Sequence, residues 1–340
     1  MHPQLFIAQH VSLLPFNTFG LDVYTRCMVQ YGSTDALKEY ILKWKQPNEA
    51  MLHIGNGSNL LFLSNFEGCI LRSEMSEIKV INETNTTVHI EVGAGLAWDT
   101  LVAYCVDKGF HGIENLSLIP GQVGAAAIQN IGAYGVEIAD VMSHITAVQL
   151  QTGEIRNFRV EECAYAYRES IFKTELKGQF AITAVTLALS KKPVFTLDYH
   201  HLEADVLKRG KISLQNIRNT IIDIRQSKLP DPSLLGNAGS FFMNPVVSKM
   251  QFDALHLNYP NMPHYYQTND KVKIPAGWLI EQAGWKGKTI GNAGVHDKQA
   301  LVLVNRGGAT GKDIKQLAES IQLSIYNQFG IRLKPEVNYI

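Results

Sequence analysis

The chain has 340 residues, 46% of them hydrophobic and 18% charged, which is too long for one small core and points to two or three domains. Its 31 Lys and Arg balance 31 Asp and Glu, so no field of either sign recruits a polyanion, and nucleic-acid binding as the main task is disfavoured. The four cysteines are scattered without a CxxC pair and the eleven histidines contain no HExxH, so reduced, buried thiols are expected and a metal site is not.

The N-terminal stretch MHPQLFIAQHVSLLPFNTFG has no Lys or Arg before Arg26, and Pro3 and Pro15 interrupt its apolar residues, a poor match to a secretory leader. STDALKEYILKW (33–44) opens on capping residues and puts Leu37, Tyr40, Ile41 and Trp44 at helical spacing. MLHIGNGSNLLFL (51–63) predicts a strand, a glycine turn and a second apolar run. HIEVGAGLAWDTLVAYCVDKGF (89–110) predicts strand, turn and helix, with Trp98, Leu101, Val102 and Cys105 on one face and Gly109 as the stop. ITAVQLQTGEIRNF (145–158) predicts a hairpin about Thr152 and Gly153. The most apolar stretch, AITAVTLAL (181–189), is too short to span a bilayer. KISLQNIRNTIIDIRQSKLPDP (211–232) carries Leu214, Ile217, Ile221 and Ile224 on one stripe until Pro230 and Pro232 end it, a helix leading to a domain boundary. The last helix, KDIKQLAESIQLSIYNQFG (312–330), aligns Ile314, Leu317, Ile321 and Ile325 ahead of Gly330, and a strand-like tail, IRLKPEVNYI, follows. The mixture predicts an α+β chain rather than a doubly wound Rossmann sheet.

Three glycine-rich stretches fall in the first half: Gly55-Asn56-Gly57-Ser58-Asn59, Gly93-Ala94-Gly95 and PGQVGAAAIQNIGAYG (120–135). Successive N–H groups at such turns form nests for phosphate oxygens, with Ser58 and Asn59 adding side-chain donors; each is also readable as a plain tight turn. None completes the dinucleotide fingerprint, because Ser58-Asn59-Leu60 follows Gly55-x-Gly57 where a third glycine should open a helix. YRESIFK (167–173) contains Ser170-x-x-Lys173, an acyl-enzyme spacing, but its Ser-Asp-Asn and Lys-Thr-Gly companions are missing. Arg168 suits a bidentate grip on a carboxylate or phosphate. Arg225 and Lys228 stand one helical turn apart as paired cations, Glu336 sits between Pro335 and Val337, and Ser240 is set between Gly239 and Phe241 in GNAGSFFMNP (236–245). Each has a bland alternative: a surface ion pair, a solvated helix end, a strand edge, a turn serine.

Taken in order, NTFG (17–20), GNGSNLLF (55–62), VGAG (92–95), ENLSLIPGQVG (114–124), IQNIGAYG (128–135), YRESIFK, KLPDP (228–232), GNAGSFFMNPVVS (236–248), AGWLIEQ (276–282), GVHDKQALVLVN (294–305) and LKPEV (333–337) span nearly the whole chain. This ordered set closely resembles the UDP-N-acetylenolpyruvoylglucosamine reductase family (UDP-N-acetylmuramate dehydrogenases), in its longer type I form. The resemblance implies non-covalent FAD in a vanillyl-alcohol-oxidase-type domain, a smaller α+β C-terminal substrate domain, NADPH as reductant and UDP-N-acetylglucosamine enolpyruvate as substrate. It implies two FAD-binding subdomains, 1–70 and 71–227, the second including the Tyr199 segment, and a substrate domain, 228–340, whose tail returns to the active site. Cofactor contacts are implied for Gly55, Asn56, Gly57, Ser58, Asn59, Leu60, Ala125, Gln129, Asn130, Gly132, Ala133, Tyr134 and Arg225. Tyr167, Tyr199, Lys228, Asn244 and Gln299 would bind the UDP-sugar, with no metal. A monomer of the bacterial cytoplasm, serving peptidoglycan synthesis without nucleic-acid or membrane partners, completes the expectation.

The substrate so implied is an enol ether conjugated to a carboxylate. Hydride added to its terminal carbon leaves negative charge on the carboxylate side, to be stabilised while the neighbouring carbon is protonated. The resemblance makes Ser240 the proton donor and Arg168 with Glu336 the pair that polarises the carboxylate. Phe241 and Phe242 are expected to keep water from the serine hydroxyl. Two stretches depart from the family: Ala125-Ala126-Ala127 stand where relatives often place serines facing the flavin, and Met243 where lysine is common. The alternatives are a catalytically silent flavin- or nucleotide-binding relative and a flavin oxidase, although no His or Cys is singled out to tether a flavin.

Overall fold

The computed structural model describes residues 5–199 and 201–340, so Pro3 of the leader reading and His200 of the histidine doublet lie outside the described residues. The chain divides into two compact units: one from the segment up to Val11, Thr25–Asn56 and Glu67–Arg225, the other from Ser12–Tyr24, Gly57–Phe66 and Gln226–Ile340.

In the first unit a four-stranded sheet runs in the order Leu5–Ser12, Tyr24–Tyr31, Phe66–Ser73, Met51–Ile54. The last two strands are parallel, with Met51 opposite Cys69. Helix α1 (Thr34–Glu39) starts where the Ser33 hydroxyl oxygen accepts from Ala36 N at 3.1 Å, and it continues as a π-helical turn over Tyr40–Trp44. Leu37, Tyr40 and Ile41 of the expected face are buried. Trp44 is exposed instead, because the wider π turn shifts the period. A five-stranded antiparallel sheet follows in the order Ile155–Arg159, Met142–Gln149, Phe180–Ser190, Thr87–Gly93, Ile78–Glu83. The expected hairpin is its first pair, with Val148 opposite Ile155. Helix α2 (Trp98–Lys108) buries Trp98, Leu101, Val102 and Cys105 completely and stops at Gly109 in the left-handed region. Each such aliphatic side chain contributes about 1.5–3 kcal/mol by leaving water. Helices α3 (Val123–Gln129), α4 (Leu202–Leu207) and α5 (Leu214–Lys228) complete the unit, the last three residues of α5 belonging to the second.

The second unit holds an antiparallel sheet ordered Gly236–Ser240, Val302–Asn305, Ala293–Val295, Thr289–Ile290, and a smaller one ordered Val246–Ser248, Lys271–Lys273, Tyr265–Thr268. Helices α6 (Lys249–Asn258) and α7 (Ala276–Gln282) lie between these strands in the chain. Helix α8 (Gly311–Phe329) buries the expected Ile314, Leu317, Ile321 and Ile325. Its start is fixed by a reciprocal capping box: Asp313 N donates to Thr310 Oγ1 at 3.2 Å and Thr310 N to Asp313 Oδ2 at 2.8 Å. The tail is mostly extended, and only Asn338–Tyr339 forms a strand, parallel to Leu60–Leu61. The fold is α+β as expected. The parallel pair of the first unit is joined by 55–65, which contains no helix, so the doubly wound crossover is not built.

All four cysteines are free and buried. Among the described residues no helix is long and apolar enough to cross a membrane, and no group of three or more His, Cys, Asp or Glu is placed to hold a metal ion.

Candidate active site

In the first unit, Asn130, Tyr134, Ala164 and Arg168 all adopt left-handed backbone, at φ of 43°, 51°, 47° and 58°. Non-glycine residues pay of order 1–3 kcal/mol for such strain, and it persists only where neighbours enforce it. Here the enforcement is visible. Asn130 is wholly buried at the end of α3; its Nδ2 donates to Glu137 Oε2 (2.7 Å) and Ala166 O (3.0 Å), and its Oδ1 accepts from Ala139 N (3.3 Å). The Arg168 guanidinium donates to Asn130 O (3.2 Å) and Gly132 O (2.6 Å) and lies 5.4 Å from the Tyr167 ring centre. Lys173 donates to Gln129 Oε1 (2.9 Å) and Arg168 O (2.7 Å). Thus Gln129, Asn130, Gly132, Tyr167 and Arg168 form one knot, and the Tyr134 and Tyr199 rings meet edge to face at 5.7 Å. Ser170 is buried and donates to Ile128 O at 2.7 Å, so the Ser-x-x-Lys spacing braces the knot rather than forming an acyl-enzyme pair.

Arg225 comes from α5. Its Nε is buried with no hydrogen-bond partner among the described residues. Burial lowers the guanidinium pKa, Tyr134 and Asp99 counter this, and Arg168 adds to it. Asp99 takes a two-pronged bond from Arg218 (2.7 and 2.8 Å) and a third from Leu118 N (2.6 Å). Burial pushes the Asp99 carboxyl up, but these donors outweigh it and hold the pKa below its usual range. Arg225 and Lys228 are not twin cations as their spacing suggested: Arg225 is partly buried, its Nε completely, and Lys228 is exposed.

The glycine turns separate into two kinds. A Cβ on Gly55 would lie 3.2 Å from Gln122 Oε1 and 3.3 Å from Ala125 Cβ, so this turn runs along α3. Of the three alanines, Ala126 and Ala127 are core residues and only Ala125 stands beside the turn. A Cβ on Gly93 or Gly95 would strike Met75 O at 2.4 Å or Ser73 O at 2.3 Å. Those two glycines are demanded by chain packing, and Gly93-Ala94-Gly95 is no phosphate nest. The remaining residues fit FAD: the orphaned Arg225 Nε is a donor that a diphosphate oxygen would satisfy, beside a backbone held rigidly in strained conformations.

In the second unit, Gly57 packs its Cα against Phe16, whose carbonyl oxygen would lie 2.1 Å from an added Cβ. Asn59 is engaged with the tail: its Nδ2 donates to Glu336 O (3.2 Å) and its carbonyl accepts from Asn338 N (3.0 Å). Leu60 then begins the strand beside Asn338.

The strand Gly236–Ser240 answers to Val302–Asn305 with a register shift between Asn237 and Ser240. Gly239 takes φ 67° in this bulge, and its N donates to Asn237 Oδ1 at 2.9 Å. A bulge re-aims the side chain after it, and Ser240 is exposed while Ala238, Phe241 and Phe242 are buried. The phenylalanines therefore anchor the strand in the core rather than screening the hydroxyl, and the expected dry wedge around Ser240 is not built by these neighbours. Glu336 N donates to Phe241 O at 2.8 Å, Met243 N donates to Lys334 O at 2.9 Å, and Phe242 bridges Pro335. The tail thus brings Glu336 alongside the residue that follows Ser240. Behind the strand, a Cβ on Gly236 would lie 2.2 Å from Phe19 O, and Asn237 N donates to Thr18 O at 2.9 Å, so the NTFG loop is its backing. Asn244 Oδ1 accepts from Ala276 N (2.9 Å), and Gln299 Oε1 would lie 3.3 Å from a Cβ on Gly277; both residues converge on the first turn of α7.

Three supporting residues were not singled out from sequence: Gln122, which donates to Gly95 O at 2.7 Å, Asn237, which donates to Leu235 O at 2.8 Å, and Asn17, which donates to Leu13 O (2.8 Å) and Leu21 O (3.0 Å). All are buried. Their signal is an amide side chain inside a glycine- or apolar-rich run, where burial requires bonds to backbone.

Residues 231–340 match the family model described as UDP-N-acetylenolpyruvoylglucosamine reductase, C-terminal domain, and residues 25–159 match an FAD binding domain. A UDP-N-acetylenolpyruvoylglucosamine reductase of Bacteroides fragilis is 49% identical over 332 residues, covering 98% of this chain and 99% of its own. One from Porphyromonas gingivalis is 49% identical over 337 residues with the same coverage. The crystal structure of the reductase from Thermus caldophilus shares the fold, with a TM-score of 0.70 at 22% identity over 98% of this chain and 99% of that one. By the extent and identity of these matches, the chain belongs to the UDP-N-acetylenolpyruvoylglucosamine reductase family.

Proposed function

We propose that the chain reduces UDP-N-acetylglucosamine enolpyruvate to UDP-N-acetylmuramate for peptidoglycan synthesis, with FAD and NADPH, as a monomer in the bacterial cytoplasm. The reading rests on one observation above the rest: a bulge aims Ser240 outward while the chain's tail is bonded to the next residue and carries Glu336 with it. Bound FAD supplies the hydride chemistry between NADPH and the enolpyruvyl double bond.

The side chains do the remaining work. Ser240, set outward by the bulge, gives its proton to the carbon beside the substrate carboxylate. Glu336 and Arg168 stabilise the charge that builds on that carboxylate, Arg168 with a guanidinium already oriented by two backbone carbonyls. Because Phe241 and Phe242 do not cover Ser240, exclusion of water falls to the ligands themselves. Gly55, Asn56, Ala125, Gln129, Asn130, Gly132, Ala133, Tyr134 and Arg225 hold the cofactor, joined by Gly57 to Leu60. Tyr167, Tyr199, Lys228, Asn244 and Gln299 hold the UDP-sugar. In this reading 1–70 and 71–227 serve the cofactor and 228–340 the sugar, without a metal, nucleic acid or membrane.

The test is Ser240→Ala. Loss of a positioned general acid costs about 10²–10⁴-fold in turnover, so turnover of the enolpyruvyl sugar should fall by that range while NADPH still bleaches the flavin at the normal rate. Unchanged sugar turnover would remove Ser240 from the role of acid.

A further inference from the structure

Asn115 lies outside every set of contacts named above, yet it is 1% exposed and holds two site segments at once. It sits on the 3₁₀ turn Glu114–Leu116, which is itself rigid: Gly112 N donates to Glu114 Oε2 (2.8 Å), Ser117 Oγ to Glu114 O (2.6 Å), and Trp98 Nε1 to Leu116 O (2.9 Å). From this mount Nδ2 donates to Tyr134 O and to Thr196 O, both at 2.8 Å. The two segments so joined are close: a Cβ on Gly135 would lie 3.2 Å from Thr196 Cγ2. Three residues beyond Thr196, the Tyr199 ring rests edge-on against Tyr134. Asn115 Oδ1 is buried without a partner among the described residues, so the side chain acts through its two donors while its acceptor goes unmet there. Aspartate has no donor to offer, serine has one, and glutamine is a methylene too long.

Resting on the reading of Tyr199 as a sugar-binding residue, we propose that Asn115 is a positioning residue for substrate binding: its forked bond to Tyr134 and Thr196 fixes the 196–199 segment and so places the Tyr199 ring. The segment continues into α4, whose first N–H, Leu202 N, donates to Tyr199 O at 3.2 Å. Leu202 and Val206 pack with Leu197, Ile217 and Ile221, so a loosened tether reaches α4.

The experiment uses the FAD-loaded protein with Asn115→Ala and the milder Asn115→Ser, which keeps one donor should the alanine variant not fold. Amide exchange of Leu202–Leu207 should quicken about tenfold or more in the variants, while that of Trp98–Lys108 stays unchanged. KM for the enolpyruvyl sugar should rise about tenfold with little change in kcat. In a Tyr199→Ala background, where the ring to be placed is gone, adding Asn115→Ala should change KM by less than twofold. Unchanged exchange in α4, or KM effects that multiply in the double variant, would overturn the proposal. Should Tyr199→Ala alone bind sugar normally, the sugar-binding reading of Tyr199 fails and the proposal for Asn115 with it, even if α4 exchange quickens.

Discussion

His53 shows how a residue away from the chemistry still governs behaviour. Its Nε2 lies 2.7 Å from the Tyr31 hydroxyl and the rings stack at 5.8 Å. Burial lowers the His53 pKa to about 4 and raises that of Tyr31. In the unfolded chain the imidazole titrates near 6.5, so between those values the unfolded state binds a proton that the folded state refuses. Stability from this group is therefore complete above about pH 6.5 and is lost as pH falls toward 4. Between pH 7 and pH 5 the loss is about 2 kcal/mol, an upper figure because the residue keeps some accessible surface. His53→Gln should flatten the pH dependence of the urea midpoint by that amount, and an unaltered slope would show that the imidazole charges freely in the fold. Nothing in the sequence distinguishes His53 from the other histidines. Its partner, Tyr31, is remote in the chain, and only the sheet brings them together.

Among the elements, the strand Gly236–Ser240 carries the sharpest contrast. Gly239 and Gly236 look alike in the sequence but serve different ends. At Gly239 the backbone is left-handed and nothing lies within 4 Å of an added Cβ. Gly239→Ala should therefore fold, lose about 1–2 kcal/mol from backbone strain alone, and mis-aim Ser240. A lower kcat with a small drop in Tm is the expected result. At Gly236 the added Cβ would strike Phe19 O at 2.2 Å, so Gly236→Ala should fail to accumulate as folded protein. Equal melting temperatures for the two variants would contradict the account of this strand. Helices were more legible than the bulge: α2 and α8 bury the 3.6-residue stripes they announce, and α5 buries Leu214, Ile217 and Ile221 of its stripe, with Ile224 partly buried. The bulge depends on long-range pairing with Val302–Asn305, which no local pattern encodes.

At the scale of the whole molecule, the resemblance carried more than the spacing of residues could. Alternation and composition separated α+β from a doubly wound sheet, and the matched families bear out an FAD-binding domain of the vanillyl-alcohol-oxidase type followed by a distinct C-terminal domain. Composition and periodicity alone did not show that the chain segments interleave, with 12–24 and 57–66 belonging to the second unit although they precede most of the first. Of the two readings open for Gly93-Ala94-Gly95, the fold takes the tight turn, and the sequence could not choose because a glycine needed for a chain crossing and one needed for a ligand are identical until their neighbours are known. Candidate residues divide between the units, Arg168 and Arg225 in one and Ser240 and Glu336 in the other. A functional test must therefore read the complete reaction rather than either unit alone.

That test is the visible spectrum of the purified protein without oxygen, taken with FAD, after NADPH, and again after UDP-N-acetylglucosamine enolpyruvate. The account predicts flavin bands that bleach with NADPH and return when the sugar is added. Bands that bleach and stay bleached would contradict the assignment of substrate, and a protein that takes up no flavin would contradict the assignment of Arg225 and the residues around it.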